Sequence, residues 1–265
     1  MFRIITLWVF FTAISVFISH STAWGTVKTE AVRYQHENTQ LIGYLAYDDT
    51  LSTTRPAILI IHEWWGLNDY IRKRAEQLAS LGYLAFAADI YGNGFTAKNP
   101  EEARALSGKF LAGDRKLLRE RVIAGLRVLK EHPLVDKDRI AAIGYCFGGT
   151  AVLELARSGA DIAGVVSFHG GLSTPRPANH HTFKARVLVL HGADDPNVPM
   201  QQVEDFQEEM RRAKADWQMI FYGGAVHAFT NPASGSDPSK GVAYNEKADR
   251  RSWEHMNIFF DELLQ

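Results

Sequence analysis

The chain has 265 residues, enough for one α/β domain with a sizeable core, and its 46% apolar content is ordinary for such a domain. Lysine plus arginine number 29 against 30 aspartate plus glutamate, a balance that gives no reason to expect nucleic acid or an anionic membrane as a partner. The one cysteine cannot pair within the chain, which excludes a disulfide framework.

The amino terminus differs from the rest. Met1-Phe2-Arg3 is a short positive start, residues 4–18 are apolar, and Ser21-Thr22-Ala23 offers the small residues that a signal peptidase needs. This reads as a secretory signal spanning residues 1–23, leaving residues 24–265 as one domain in the periplasm or outside the cell. The apolar run falls short of the roughly 20 residues of a comfortable membrane span, so a retained anchor is the lesser reading. Outside the cytoplasm a lone thiol faces oxidation, a liability better tolerated where the thiol has work to do.

Residues 27–34 and 41–47 read as two strands about a polar turn at Glu37-Asn38. Six more runs follow, at residues 57–61, 83–88, 139–143, 164–168, 187–190 and 217–222. The later ones are continuously apolar, as parallel strands covered on both faces should be. Between them, Ile71, Ala75, Leu78 and Ala79 recur at helical spacing, as do Leu118, Val122, Gly125, Leu126 and Leu129. Further helices are expected around Arg104, after Cys146 and over residues 244–263. Alternating strands and helices predict an α/β fold: a mostly parallel central sheet with helices on both faces and right-handed crossovers. Loops at the strand ends are where specificity is expected. Three are long or punctuated, at residues 92–100, 172–182 and 231–241.

Chemistry-bearing residues collect at the same strand ends. The first apolar run opens into His62-Glu63-Trp64-Trp65-Gly66, the place from which an oxyanion hole draws one N–H. The run 139–143 leads into Gly144-Tyr145-Cys146-Phe147-Gly148-Gly149. Strand, Gly-x-nucleophile-x-Gly turn and helix form a nucleophile elbow, here with sulfur in place of the usual serine oxygen. The bland alternative is a small buried residue beside a tight turn. Candidate acid and base then appear in the required chain order. Asp194-Asp195-Pro196 follows the run 187–190, and His227 follows the last strand. A thiol needs a histidine to take its proton or pair with the thiolate, and a carboxylate fixes the imidazole tautomer. Pro196 makes a rigid turn directly after Asp195, which selects Asp195 over Asp194 as the acid; Asp194 reads as solvated or capping. The backbone amides of Phe147 and Trp64 are the oxyanion donors nominated by this layout. Glu63, beside two tryptophans, is an unusual carboxylate, with a solvated surface residue as its alternative. Trp64, Trp65, Tyr91, Phe95 and Phe147 are candidates for an apolar pocket over the thiol, or for core. His180-His181 reads as a surface pair, since no further metal-ligand spacing accompanies it. No metal or cofactor is expected, and a monomer is the favoured state.

Together, Cys146, Asp195, His227 and the His62-Glu63-Trp64-Trp65-Gly66 stretch resemble the dienelactone hydrolase family of α/β-hydrolases, from about residue 28 to the C-terminus. The resemblance implies cleavage of a lactone or other small ester through a thioester acyl-enzyme. It also implies that Glu63 contacts the resting thiol and helps time its deprotonation. Family members acting on the dienelactone itself bind the substrate carboxylate with two arginines. Arg104 looks like the counterpart of one, with an exposed helical arginine as the alternative. The other position is Asn231, which donates hydrogen bonds but makes no bidentate charged clamp. That departure argues against the carboxylated dienelactone as substrate. A rival from another class is a secreted thiol redox sensor or ligand-binding protein on the same fold. A sensor, however, needs neither an oxyanion hole nor an ordered His–Asp pair.

Overall fold

The computed structural model describes residues 27–265; the expected signal segment lies outside the described residues. In chain order the elements are β1 (Val27–His36), β2 (Thr39–Asp48), β3 (Arg55–Ile61), α1 (Asp69–Ser80), β4 (Leu84–Ala88), α2 (Pro100–Leu111) and α3 (Lys116–Glu131). They continue with β5 (Val135–Tyr145), α4 (Phe147–Arg157), β6 (Gly164–Phe168), β7 (Arg186–Gly192), α5 (Met200–Ala213), β8 (Trp217–Tyr222) and α6 (Glu246–Leu263). The strands form one eight-stranded sheet in the order β1-β2-β4-β3-β5-β6-β7-β8. The β1–β2 and β2–β4 pairs are antiparallel and all later pairs are parallel. This is the mostly parallel α/β sheet that the alternating runs predict.

Alternation along each strand divides the apolar residues between two cores. On β3, Ala57, Leu59 and Ile61 join one cluster with side chains of α2, α3, α4 and α5, while Ile58 and Ile60 join the other with α1 and α6. Several helices begin where the sequence can satisfy their free N–H groups. The side chains of Asn68, Asn99 and Asn245 accept from Ile71, Glu102 and Ala248, and Pro100 starts α2 where no N–H is needed. Among the described residues, no helix is long and apolar enough to cross a membrane.

Two elements differ from the sequence expectation. β5 begins at Val135 rather than near residue 139. Its polar stretch Asp136-Lys137-Asp138 hides the strand, and the pairing with β3 is irregular between Arg55 and Ala57. α5 is an amphipathic helix burying Val203, Phe206, Met210 and Ala213, a spacing that is present in the sequence but is not among the helical patterns read above.

The chain order around β3 positions the site. From β3 the connection through α1 leads to β4 on one side, whereas the connection through α2 and α3 returns to β5 on the other. The ends of β3 and β5 therefore flank a switch point, where open α/β sheets leave a crevice. The segments after β7 and β8 open at the same edge.

Candidate active site

Cys146 stands between β5 and α4 with φ 54° and ψ −113°, a region that side-chain-bearing residues rarely occupy. The flanking glycines make that turn possible. A Cβ at Gly144 would run into the Gly148 carbonyl, and one at Gly148 would run into the carbonyl of Ile61 on the neighbouring strand.

The thiol meets the candidate base directly: Cys146 Sγ lies 3.0 Å from His227 Nε2. His227 Nδ1 donates to Asp195 Oδ2 at 2.8 Å, and Asp195 Oδ1 accepts from the Asn197 amide at 2.8 Å. Asp194 instead accepts from the Gly224 amide at 2.9 Å and is exposed, so the two carboxylates have separate tasks. Burial works against charge on His227. The neighbouring sulfur and the Asp195 hydrogen bond outweigh it and hold the imidazole well above the ordinary histidine range.

The end of β3 lies against the elbow, with the Ile61 and His62 carbonyls beside Gly148. The His62 ring stacks on Phe147, donates from Nδ1 to the Glu63 carbonyl at 2.6 Å and accepts from the Ile90 amide at Nε2. Burial keeps it neutral, and it fixes the turn that carries Glu63 and Trp64. Tyr91 donates to the Trp64 carbonyl at 2.7 Å. Among the described residues, the backbone amides of Trp64 and Phe147 have no hydrogen-bond acceptor, which leaves both N–H groups free to receive one. Glu63 is buried, and its Oε2 accepts from Asn231 Nδ2 at 2.6 Å. Burial pushes its carboxyl up to about 7, against the pull of Asn231, His227 and Arg74.

A cavity of about 900 Å³ opens over this chemistry. Its lining includes Cys146, His227, Glu63, Asn231, Trp64 and Trp65, with Lys98 and Arg104 contributed by α2 and the loop before it. Neither of these two cations has an acidic partner among the described residues. Of the candidate pocket aromatics, only Trp64 and Trp65 line the cavity. Tyr91 and Phe147 pack with Phe110 in an inner cluster, and Phe95 is exposed. The loops at 92–100 and 231–241 both reach the cavity, whereas 172–182 contributes nothing to it. That third loop is tied down elsewhere: Arg157 donates to the Leu172 carbonyl and the Ala178 amide donates to Glu209. His180 and His181 are exposed. Among the described residues, His36, Glu37 and Glu120 come close enough to share an ion, but none of them lines the cavity.

The model of the dienelactone hydrolase family matches residues 41–264. The chain belongs to the dienelactone hydrolase family. A dienelactone hydrolase-like promiscuous phosphotriesterase from metagenomic libraries superposes with a TM-score of 0.85 at 39% identity, covering 91% of this chain and 100% of its own. A putative carboxymethylenebutenolidase of Synechocystis is 26% identical over 253 residues, or 90% of this chain and 98% of that protein. A probable 2-oxo-3-(5-oxofuran-2-ylidene)propanoate lactonase of Bradyrhizobium is 30% identical over 190 residues, covering 66% of this chain and 73% of that protein.

Within this dienelactone hydrolase fold, two family-derived expectations meet specific geometry. Glu63 is not a surface carboxylate, yet its hydrogen bond goes to Asn231 while the thiol's goes to His227. Arg104 is exposed on α2 and lines the cavity, as do Lys98 and Asn231.

Sequence reasoning misses one buried polar chain. The Cys146 amide is shared between the Phe168 carbonyl at 3.0 Å and His169 Nδ1 at 3.1 Å. His169 Nε2 meets Thr230 Oγ1 at 2.7 Å, Tyr70 donates to the same oxygen at 2.8 Å, and Arg74 donates to the Thr230 carbonyl at 2.9 Å. Arg74 also pairs with Asp249 of α6. The available signal was a histidine directly after an apolar strand and before Gly170-Gly171.

Proposed function

We propose that this hydrolase cleaves a small ester or lactone with a Cys146–His227–Asp195 triad through a thioester acyl-enzyme. The observation that carries the reading is the unbroken line from Cys146 Sγ through His227 to Asp195, facing a cavity beside two unengaged backbone amides. The names of the relatives, two of them a carboxymethylenebutenolidase and a lactonase, support the substrate class.

In this mechanism the sulfur, paired with the His227 imidazolium, attacks the carbonyl carbon. The carbonyl π pair moves to oxygen, where the Phe147 and Trp64 amides receive the negative charge. As that pair returns, the carbon–oxygen ester bond breaks and the leaving alkoxide takes the proton from His227 Nε2. Water then attacks the thioester while His227 accepts its proton, and the C–S bond breaks to regenerate the thiolate. Asp195 keeps the Nδ1–H tautomer and stabilises the imidazolium throughout. Lys98 and Arg104 favour substrates with an anionic group on the α2 side. Asn231 brings a neutral amide to the same cavity, already engaged by Glu63.

Turnover of p-nitrophenyl esters, small lactones and a phosphotriester, with and without iodoacetamide, tests this reading. Cys146→Ala is expected to lower ester turnover by at least about a thousandfold with an unchanged melting temperature. Substantial residual turnover in that variant excludes the thiol mechanism. We also propose export of the chain after cleavage at Ala23; the amino-terminal mass of the exported protein tests this.

A further inference from the structure

Backbone strain marks the residue that most needs a role. Among the described residues, seven non-glycine positions have positive φ. Glu37, Asn93, Arg115 and Lys214 belong to hairpin, loop or helix-end turns. The other three, Cys146, His169 and Ala228, meet at the active site, with φ of 54°, 41° and 57°. Strain that persists at several adjoining strand ends points to a functional constraint, because each such residue costs of order 1 kcal/mol or more. Cys146 is the proposed nucleophile and Ala228 follows the proposed base. His169 has no such assignment.

Its surroundings define its chemistry. His169 is fully buried, and its own amide donates to the Leu190 carbonyl at 2.9 Å. Because the Cys146 N–H points at Nδ1, that nitrogen must present a lone pair. The proton then sits on Nε2 and is donated to Thr230 Oγ1. One neutral imidazole thus spans the gap between the nucleophile's backbone and Thr230, three residues beyond the base. A protonated ring would turn an N–H against the Cys146 N–H. It would also place a second cation beside His227, whose ring centroid is 5.4 Å away.

We propose that His169 is a positioning residue: its Nδ1 lone pair holds the Cys146 amide, its Nε2–H holds Thr230, and the bridge sets the Sγ-to-Nε2 geometry. The proposal rests on Cys146 being the nucleophile. Burial, then the neighbouring His227, drives the His169 pKa well down, which keeps the acceptor lone pair at working pH. The groups facing it are His227 and Thr230 from the loop after β8, and Tyr145 and Cys146 from the elbow. His191 from β7, and Tyr70 and Arg74 from α1, complete the set. Arg74 and His191 both oppose a charge on the ring.

Two isosteric amides separate the ends of the bridge. His169→Asn retains an acceptor where Nδ1 lies and tolerates positive φ. His169→Gln reaches Thr230 but leaves the Cys146 amide without its nitrogen acceptor. The readouts are kcat, KM, melting temperature and the pH profile of Cys146 alkylation by iodoacetamide. The Asn variant keeps the Cys146 end but loses the Thr230 end, and is expected to lose about threefold to tenfold in kcat with a small shift of its alkylation profile. The Gln variant is expected to lose about tenfold to a hundredfold in kcat with little change in KM, as a displaced nucleophile does. Its alkylation profile should move to higher pH. Equal kcat and equal alkylation profiles in the two variants overturn the proposal. If His169→Gln does not fold, Thr230→Val cuts the other end; an alkylation profile identical to the parent's then overturns it. Because alkylation needs no ester, it tests the bridge even where turnover is undetectable. Failure of the nucleophile reading shows separately, as turnover surviving Cys146→Ala.

Discussion

Helix α4 carries buried charge chemistry at both ends, and the two ends are built differently. Toward its C-terminal half, Glu154 accepts from Arg119 at 2.9 Å, from Arg115 at 3.2 Å and from the Thr174 hydroxyl at 2.7 Å. Arg157 grips Glu209 with two bonds of 2.8 Å. Every carboxylate oxygen of Glu154 and Glu209 has at least one donor. At the N-terminal end, among the described residues, Glu63 has only the neutral Asn231, the Tyr145 hydroxyl has no partner and three positive-φ residues adjoin. The other end has one such residue, Arg115, and its unpartnered atoms, Arg115 Nε and Arg119 Nη2, belong to arginines already paired with Glu154. Paired buried charge holds loops in place, whereas underpaired charge and strain collect where groups must change protonation state. The contrast assigns one end of α4 to architecture and the other to chemistry.

The largest effect should come from the chemical end. Asp195→Asn retains the shape of the side chain but withdraws the charge that holds the His227 tautomer. Its kcat is expected to fall by about a thousandfold or more, or about 4 kcal/mol of barrier, with little change in KM or melting temperature. A loss under about tenfold would remove Asp195 from the proposed triad and blur the contrast.

The architectural end should respond the other way. Glu154→Ala strands Arg115, Arg119 and Arg157 without their shared carboxylate, at a cost of about 3–5 kcal/mol in unfolding free energy. Activity per folded molecule should stay near the parent value, because neither Glu154 nor its partners line the cavity. Chemical denaturation and an active-site titration of the folded fraction separate the two quantities.

How much of each end is legible in the sequence follows from how local its signals are. Strand ends are marked by glycines and prolines in the same segment, so the loops bearing Cys146, Asp195 and His227 are readable in chain order. Pro196 even separates Asp195 from Asp194. The start of β5 is not readable, because Asp136-Lys137-Asp138 is polar and falls in the irregular stretch between the Arg55–Val135 and Ala57–Ile140 pairs. Pairings across the fold are equally invisible: Glu63 to Asn231, Cys146 to His169 and Arg157 to Glu209 join distant segments with no shared local pattern. Hence the 172–182 loop, with its prolines, resembles a specificity loop until Arg157 and Glu209 are seen to anchor it. His169 illustrates the same limit, since one histidine after a buried strand has no signature until its two ring nitrogens find partners.

Glu63 sharpens the comparison further, through pH. Burial raises its carboxyl from 4.5 to about 7 in the folded protein, so between those values the folded state keeps a proton that the unfolded chain has released. Stability should therefore fall as pH rises through that window, by about 3 kcal/mol in all. Glu63→Gln removes the ionisation while retaining an oxygen for the Asn231 amide. Urea denaturation should show the variant and parent nearly equal at pH about 5, and the variant more stable by up to about 3 kcal/mol at pH about 8. A difference that does not vary with pH would mean that Glu63 ionises freely in place, and that this end of α4 is as well compensated as the other. A variant that gains stability at high pH and loses turnover would show that the buried carboxylate is retained for chemistry against its cost to the fold.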